Sequence, residues 1–120
     1  MSEASISAEN LRQRQCEPCE GGVEPLSAAQ CAELMPSLDT DWRLVDDGTV
    51  LARDVKFAGY NRVLSFVNAL GWIANTEGHH PDIRFGYGYC NIVWTTHAIS
   101  GLSVNDFICA AKTDALLTGV

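Results

Sequence analysis

Residues 59–77, GYNRVLSFVNALGWIANTE, decide the fold. Apolar side chains recur in this stretch every three or four residues, at Val63, Phe66, Val67, Leu70, Ile73 and Ala74. That spacing places them on one face of a helix. Because such a face must be buried, the stretch predicts the longest helix of the chain and the one against which a sheet packs. The glycine at position 78 is typical of a helix end, since glycine readily adopts the left-handed conformation.

A β-hairpin is predicted on the N-terminal side of this helix. Residues 42–45 and 50–57 alternate apolar with polar side chains, as strands with one buried face do. They flank the sequence DDG at residues 46–48, which is a turn signal. Before the hairpin, residues 27–35 begin with SAAQ, a capping-box pattern, and predict a short first helix.

Two more strands and a last helix are predicted after the long helix. Residues 82–85 and 89–96 have strand character, and Ser103 with Asp106 starts the final helix in a second capping-box pattern. The element order is therefore αββαββα. We expect an α+β fold in which three helices pack on one face of a four-stranded antiparallel sheet. The other face and the sheet edges would leave surface for self-association.

Composition and charge exclude several classes of protein. The 120 residues suffice for one domain, and the formal net charge of −7 argues against a nucleic-acid partner. No apolar run approaches the roughly 20 residues of a membrane helix, and the N-terminal sequence lacks the features of a signal peptide. Five cysteines, an odd number, fit a reducing compartment better than a disulfide framework. We therefore expect a cytoplasmic protein with neither a nucleic-acid nor a membrane partner.

Residues 1–25 are polar, and we interpret them as a flexible N-terminal arm ahead of a domain over residues 26–120. The arm carries Cys16 and Cys19 in a CxxC pattern, which is half of a zinc-ribbon motif. A complete structural zinc site would need Cys31 or ligands from another subunit. A redox role would call for a βαβ context that does not follow. An arm without metal is the simplest interpretation.

All three histidines of the chain lie in one segment, and this crowding points to function. His79 and His80 follow the long helix, and His97 ends the last strand pattern. Imidazole is the side chain that exchanges protons near neutral pH, and a helix C-terminus favours its protonated form. One histidine can then act as a general acid while another acts as a general base. The alternative is that they are ordinary surface or core histidines.

A catalytic zinc site is a further possibility, because three histidines can hold zinc. The adjacent His79 and His80 would need an unusual backbone to reach one ion, since neither the spacing of a helix face nor that of a strand face is present. We therefore expect no metal. Asp106 also has two interpretations, as a functional carboxylate or as the third residue of a capping box alone.

Four short motifs carry a resemblance to a known family. They are EGHHPD at 77–82, TTH at 95–97, GLS at 101–103 and DFICAAK at 106–112. Together they resemble the pterin-4a-carbinolamine dehydratase (4a-hydroxytetrahydrobiopterin dehydratase) family, over residues 26–117. The resemblance implies an antiparallel four-stranded sheet with helices on one face, assembled as a homodimer or homotetramer. It also implies that a 4a-hydroxytetrahydropterin loses water to give the quinonoid dihydropterin, without metal or cofactor, so that aromatic amino-acid hydroxylases can reuse their pterin.

The resemblance implies roles for four residues. His79 and His97 match the family's general acid and base. His80 matches a histidine that binds the pterin, and Asp106 matches an acidic residue near the site. We therefore expect His80 and Asp106 to be the substrate-binding residues. The chemistry suits these residue types, because the leaving hydroxyl must gain a proton while a ring nitrogen gives one up.

One position departs from the family pattern. Some members carry a glutamate four residues before the first histidine, where this chain has Asn75. Glu77 lies two residues before that histidine, on a different face of the helix, so the glutamate's role is not transferred to it. The departure bears on substrate orientation or rate rather than on the three histidines.

A catalytically inactive member of the family is the alternative. Relatives of the family serve as a Rubisco assembly factor in carboxysomes, and an animal member doubles as a dimerisation cofactor for a homeodomain transcription factor. Retention of all three histidines favours the enzyme, because a protein-binding descendant has no physical need for them.

Overall fold

The computed structural model describes residues 8–17 and 23–118 of the chain. The helices within this part are α1 (Ala8–Gln13), α2 (Ala28–Leu34), α3 (Tyr60–Glu77) and α4 (Val104–Leu117). The strands within it are β1 (Arg43–Val45), β2 (Val50–Lys56), β3 (Asp82–Gly86) and β4 (Tyr89–Trp94). Single 3-10 turns cover Met35–Ser37 and His97–Ile99.

The four strands form one antiparallel sheet in the order β1-β2-β4-β3. The alternate residues Cys90, Ile92 and Trp94 of the inner strand β4 are fully buried, and α3 and α4 pack on this strand. The intervening residues Asn91 and Val93 are only half-buried. The predicted α+β class, with helices against one face of an antiparallel sheet, is confirmed. Self-association through the other face stays a prediction.

The predicted boundaries of the long helix are confirmed, for the expected reasons. Gly59 precedes α3, and Gly78 ends it in the left-handed conformation with φ 66°. The side chains of Val63, Phe66 and Leu70 are buried in the core. The helix therefore presents one apolar face to the sheet and leaves its C-terminus beside β3, where the first two histidines lie.

The two local signals at the start of the domain are also confirmed. In the capping box of α2, the Gln30 backbone N–H donates to the Ser27 hydroxyl at 3.1 Å and the Ser27 backbone N–H donates to the Gln30 side chain at 2.8 Å. The hairpin turn takes positive φ at Asp46, Asp47 and Gly48, with values of 51°, 57° and 78°. Asp and Gly tolerate this conformation better than most residues do.

The N-terminal segment is more ordered than the sequence predicts. Helix α1 lies inside the stretch predicted to be an irregular arm, and its Leu11 is fully buried in the core. The Lys112 ammonium of α4 donates to the Arg12 carbonyl at 2.6 Å. Leu11 and Cys16, which both pack against the core, and a few polar contacts therefore hold residues 8–17 on the domain. The rest of the predicted arm, residues 1–7 and 18–22, lies outside the described residues.

A buried arginine provides a test of what holds the sheet to α4. Arg53 is 8% exposed and pairs with the carboxylate of Asp114, which also accepts the Trp42 indole N–H at 2.7 Å. Arg53→Ala should lower the free energy of unfolding by about 3 kcal/mol, because it leaves a poorly solvated carboxylate without its cation. Urea denaturation followed by tryptophan fluorescence measures the loss.

The matched control is the arginine of an exposed ion pair on the open sheet face. Arg43 lies 3.4 Å from Asp54, and both side chains are about half exposed. Arg43→Ala should change the free energy of unfolding by less than about 1 kcal/mol. Equal losses in the two variants would show that burial of Arg53 does not matter.

Stability should also fall at alkaline pH, because burial raises the pKa of Cys90 from 9.0 to about 11. The unfolded chain then releases this proton before the folded chain does. The protonated Cys90 thiol therefore makes its full contribution to stability below pH 9. As the pH rises to about 11, the free energy of unfolding falls by about 2–3 kcal/mol. We expect Cys90→Ala to show a shallower decline between pH 8.5 and 10.5 in urea denaturation under reducing conditions. An unchanged slope would contradict this origin.

Candidate functional site

The structure brings all three histidines to one pocket of about 390 Å³. His79 and His80 enter from the junction between α3 and β3, and His97 enters from the 3-10 turn after β4. The hypothesis of a shared acid–base site requires this convergence. The other residues of the lining are Cys16, Glu17, Glu77, Gly78, Thr95, Thr96, Ala98 and Asn105.

The end of α3 fixes the backbone of the first two histidines. The backbone N–H groups of Gly78 and His79 both donate to the Ala74 carbonyl, the latter at 3.3 Å. Gly78 makes this possible because it adopts positive φ, and the chain then leaves the helix abruptly. His79 turns inward and is 12% exposed, whereas His80 stays exposed at the rim.

The ring of His79 is held by two neighbours. It stacks on the buried Trp94 indole, with ring centroids 5.6 Å apart and planes 10° apart. Its Nε2 lies 2.6 Å from Oδ1 of Asp106. An ionised carboxylate can only accept hydrogen bonds, so we assign the hydrogen to Nε2, which leaves Nδ1 as the second proton site of the ring.

Asp106 is both a helix-capping residue and the partner of His79. Its side chain is fully buried. Oδ2 accepts the Thr96 hydroxyl at 2.7 Å and the Ser103 backbone N–H at 2.9 Å, while Oδ1 faces His79. The two interpretations of this residue are therefore not exclusive. Since Asp106 has no exposed surface, it reaches the pocket only through its partners His79 and Thr96, which differs from the direct substrate contact predicted for it.

The loop after β4 places His97 in the lining of the pocket. A bridge between Thr96 and Gly101 closes this loop, and Ser100 within it adopts the left-handed conformation with φ 54°. His97 is exposed. It is thus open to both solvent and a bound molecule, in contrast to the enclosed His79.

Glu77 lines the pocket. In the sequence it lies on a different face of the helix from position 75, where some family members carry their glutamate. Its side chain is 8% exposed, and its carboxylate accepts the Cys16 backbone N–H at 2.8 Å and lies 3.7 Å from the Lys112 ammonium. Asn75, which stands where some family members have that glutamate, is exposed and does not line the pocket.

Cys16, the first cysteine of the CxxC pattern, contacts Cys109. The two sulfur atoms are 3.5 Å apart, and the hydrogen bond to Cys16 together with burial raises the pKa of the Cys109 thiol. Cys19 lies outside the described residues. Within residues 8–17 and 23–118, no three His, Cys, Asp or Glu side chains are grouped as the ligands of a metal ion would be.

A second hollow, of about 350 Å³, lies between α3 and the end of α4. Its lining is mostly apolar and includes Phe57, Phe66, Leu116 and Leu117. It contains none of the histidines, so it offers no acid–base pair. The histidine pocket is the candidate site on chemical grounds.

Comparison with known proteins agrees with the resemblance seen in the sequence. The family model described as pterin 4 alpha carbinolamine dehydratase matches residues 24–116. The chain belongs to this family. The pterin 4 alpha carbinolamine dehydratase family thus covers α2 to α4 and all three histidines, while residues 8–17 lie outside the matched region.

Two relatives from bacteria illustrate how closely the chain follows this family. A protein of Nitrosomonas eutropha is 47% identical over 108 residues, which are 90% of this chain and 94% of the relative. A protein of Legionella pneumophila strain Lens is 45% identical over 90% of this chain and 96% of its own length. Both bear the name "Putative pterin-4-alpha-carbinolamine dehydratase".

Two solved structures of pterin dehydratase type share the fold. A transcriptional coactivator/pterin dehydratase from Brucella melitensis is 25% identical, with a TM-score of 0.73 over 78% of this chain and 98% of the other. A pterin dehydratase-like protein identified as a RuBisCO assembly factor in the alpha-carboxysome is 28% identical, with a TM-score of 0.55 over 65% of this chain and 94% of the other. Members of this fold thus carry names of more than one function.

Several residues of the site could not be found from the sequence. Cys16, Glu17 and Asn105 join the histidines only through tertiary packing. Glu77 is the first residue of the EGHHPD motif, and this position at the end of α3 was the available signal for it. Among the residues described, no helix has both the length and the apolar character needed to cross a membrane.

Proposed function

We propose that this protein removes water from a 4a-hydroxytetrahydropterin and releases the quinonoid dihydropterin. The observation that carries the proposal is the pocket that His79, paired with the buried Asp106, lines together with the exposed His97 and His80. Its volume of about 390 Å³ lies in the usual range for small-molecule sites. Membership of the dehydratase family supports the same reaction.

The proposed reaction needs one acid and one base. The C4a–O bond breaks as the hydroxyl takes a proton and leaves as water, and N5 of the pterin gives up its proton as the C4a–N5 double bond forms. His79, whose Nε2–H is engaged by Asp106, offers the lone pair of Nδ1 as the base. The exposed His97 supplies the proton to the hydroxyl. No net proton is gained or lost, and His80 at the rim binds the ring.

The remaining expectations extend the proposal to the state of the protein in the cell. We propose a cytoplasmic homodimer or homotetramer that recycles the pterin of aromatic amino-acid hydroxylases. The half-buried face of β4 and the edge strand β1 provide surface for self-association. Mass measurement under native conditions tests the oligomer, and a single mass of 13.0 kDa would contradict it.

The decisive experiment is an assay of the purified, reduced full chain with 4a-hydroxytetrahydropterin generated in situ. We expect the wild type to accelerate dehydration above the buffer rate and His79→Ala to abolish the acceleration. Wild-type protein without any acceleration, or His79→Ala with full activity, would overturn the proposal. The first result would favour a binding role, such as the one in the name of the RuBisCO assembly factor.

A further inference from the structure

Residues 16–17 are attached to the domain by contacts with distant parts of the chain. The Cys16 N–H donates to the Glu77 carboxylate at 2.8 Å. The Glu17 N–H donates to the side-chain oxygen of Asn105 at 3.0 Å, and the Asn105 amide donates back to the Glu17 carbonyl at 2.6 Å. The backbone of this short segment is thus held at three points.

The side chains that hold the segment are buried. Asn105 is 7% exposed, and the Glu77 side chain is 8% exposed. A buried amide or carboxylate that lacks a partner destabilises a protein, so these groups depend on the backbone of residues 16–17. Residues 16–17 are therefore an ordered part of the fold and not a loosely attached end.

The segment also forms part of the histidine pocket. Cys16 and Glu17 both line it, together with His79, His80 and His97. The match to the family model begins at residue 24, but the Nitrosomonas eutropha relative aligns over 108 residues, 90% of this chain, a length that includes residues 16–17. Side chains of this wall can change which molecules the pocket accepts without changing the groups that carry out the reaction.

We propose that residues 16–17 are a substrate-contacting wall of the pocket and that the Glu17 carboxylate binds the aminopyrimidinone edge of the pterin. This inference rests on the proposed function and adds a specificity residue to it. The edge presents two neighbouring N–H donors, from the 2-amino group and from N3. A carboxylate matches them with two acceptor oxygens, in the paired geometry that makes charge-assisted hydrogen bonds strong.

Glu17 suits this role better than the other carboxylate of the lining. Glu77 already accepts the Cys16 N–H and faces the Lys112 ammonium. Glu17 instead is exposed, and its backbone is fixed by Asn105 at both its N–H and its carbonyl. Its side chain therefore extends from a fixed point while its carboxylate remains open to solvent and to a ligand.

Binding of a dihydropterin that lacks the 4a-hydroxyl tests the inference by isothermal titration calorimetry on the full chain. We expect Glu17→Gln to raise Kd about tenfold, because the amide offers one acceptor instead of two and no charge. In the dehydration assay the same variant should raise KM by a similar factor and leave kcat within about twofold. Glu24→Gln, which changes an exposed glutamate outside the pocket, is the matched control and should behave as wild type.

A second ligand separates recognition of the edge from a general effect on the site. In a dihydropteridine that carries oxygen in place of the 2-amino group, one of the two donors is missing. Wild type should bind this compound about tenfold more weakly than the dihydropterin, whereas Glu17→Gln should bind the two compounds with nearly equal Kd.

The outcomes distinguish the inference from the proposed function. Suppose that the wild type binds the dihydropterin and catalyses dehydration, and that Glu17→Gln has the same Kd and KM. That result overturns the inference about Glu17 and leaves the proposed function intact. A wild type that neither binds the dihydropterin nor accelerates dehydration overturns both. A Glu17→Gln variant that weakens both compounds equally also contradicts recognition of the 2-amino group.

Discussion

His79→Gln should lower kcat for dehydration by about 10²–10⁴-fold, the usual contribution of a general acid or base. Glutamine can still fill the space beside Trp94 and donate to Asp106, but it cannot exchange a proton near neutral pH. The histidine pocket and the fold should therefore persist. Steady-state kinetics, with binding of the dihydropterin as a second measurement, separates loss of chemistry from loss of binding.

Variants of the other two histidines are the controls for this result. His97→Ala should also lower kcat strongly, and because His97 is exposed, its loss should leave the free energy of unfolding nearly unchanged. His80→Ala should act mainly on KM, since this histidine is assigned to binding. If His79→Gln and His97→Ala both retain wild-type kcat, the assignment of acid and base is wrong.

Asp106→Asn should lower kcat nearly as much, although Asp106 is not exposed in the pocket. The Ser103 N–H and the Thr96 hydroxyl both donate to one side of the carboxylate, so the amide oxygen must take that side. The amide NH2 then faces Nε2 of His79, which must become an acceptor. The hydrogen moves to Nδ1, and the lone pair that we propose as the base is lost, so we expect a fall of about 10²–10⁴-fold in kcat.

The tautomer of His79 distinguishes a positioning role of Asp106 from a purely structural one. If Asp106 were only a helix cap, its replacement would leave the tautomer unchanged. Nitrogen-15 NMR of the imidazole should show Nε2–H in the wild type and Nδ1–H in Asp106→Asn. An unchanged tautomer together with an unchanged kcat would remove Asp106 from the mechanism and leave it as a helix cap. The variant should also lower the free energy of unfolding, by about 1–3 kcal/mol, because a charged acceptor is lost in the core.

A second aspartate of α4 serves as the matched control. Asp114 is 17% exposed and holds Arg53 and Trp42. Asp114→Asn should also lower the free energy of unfolding, but it should leave the His79 tautomer and kcat unchanged. Loss of kcat in both variants would attribute the effect of Asp106→Asn to general destabilisation of the helix.

The sequence was sufficient for the local elements because each rests on contacts between residues close in the chain. Val63, Phe66 and Leu70 recur at helical spacing, and burying them specifies α3 whatever surrounds it. The sequence DDG forms the hairpin turn because of its own backbone preferences. The capping pair of Ser27 and Gln30 is three residues apart and requires no partner elsewhere.

The concentration of histidines in one segment also predicted the candidate site. It did not predict which residues hold the histidine side chains in place. His79 and Asp106 are 27 residues apart, and their contact exists because α4 packs across the end of β4, where Trp94 and Thr96 lie. In the sequence, Asp106 differs little from any residue that caps a helix. Its second role depends on which side of the carboxylate the helix cap leaves open.

Within residues 26–117, the sequence by itself determined which segments become helices and strands and which segment carries the proton-exchanging side chains. Only the tertiary structure decided that α1 packs on α4, that Glu77 and Asn105 hold residues 16–17, and that these residues form a wall of the pocket. The physical reason is the range of the interactions. Backbone preferences and side-chain spacing act over a few residues, whereas the partner of a buried polar group is set by how distant elements pack.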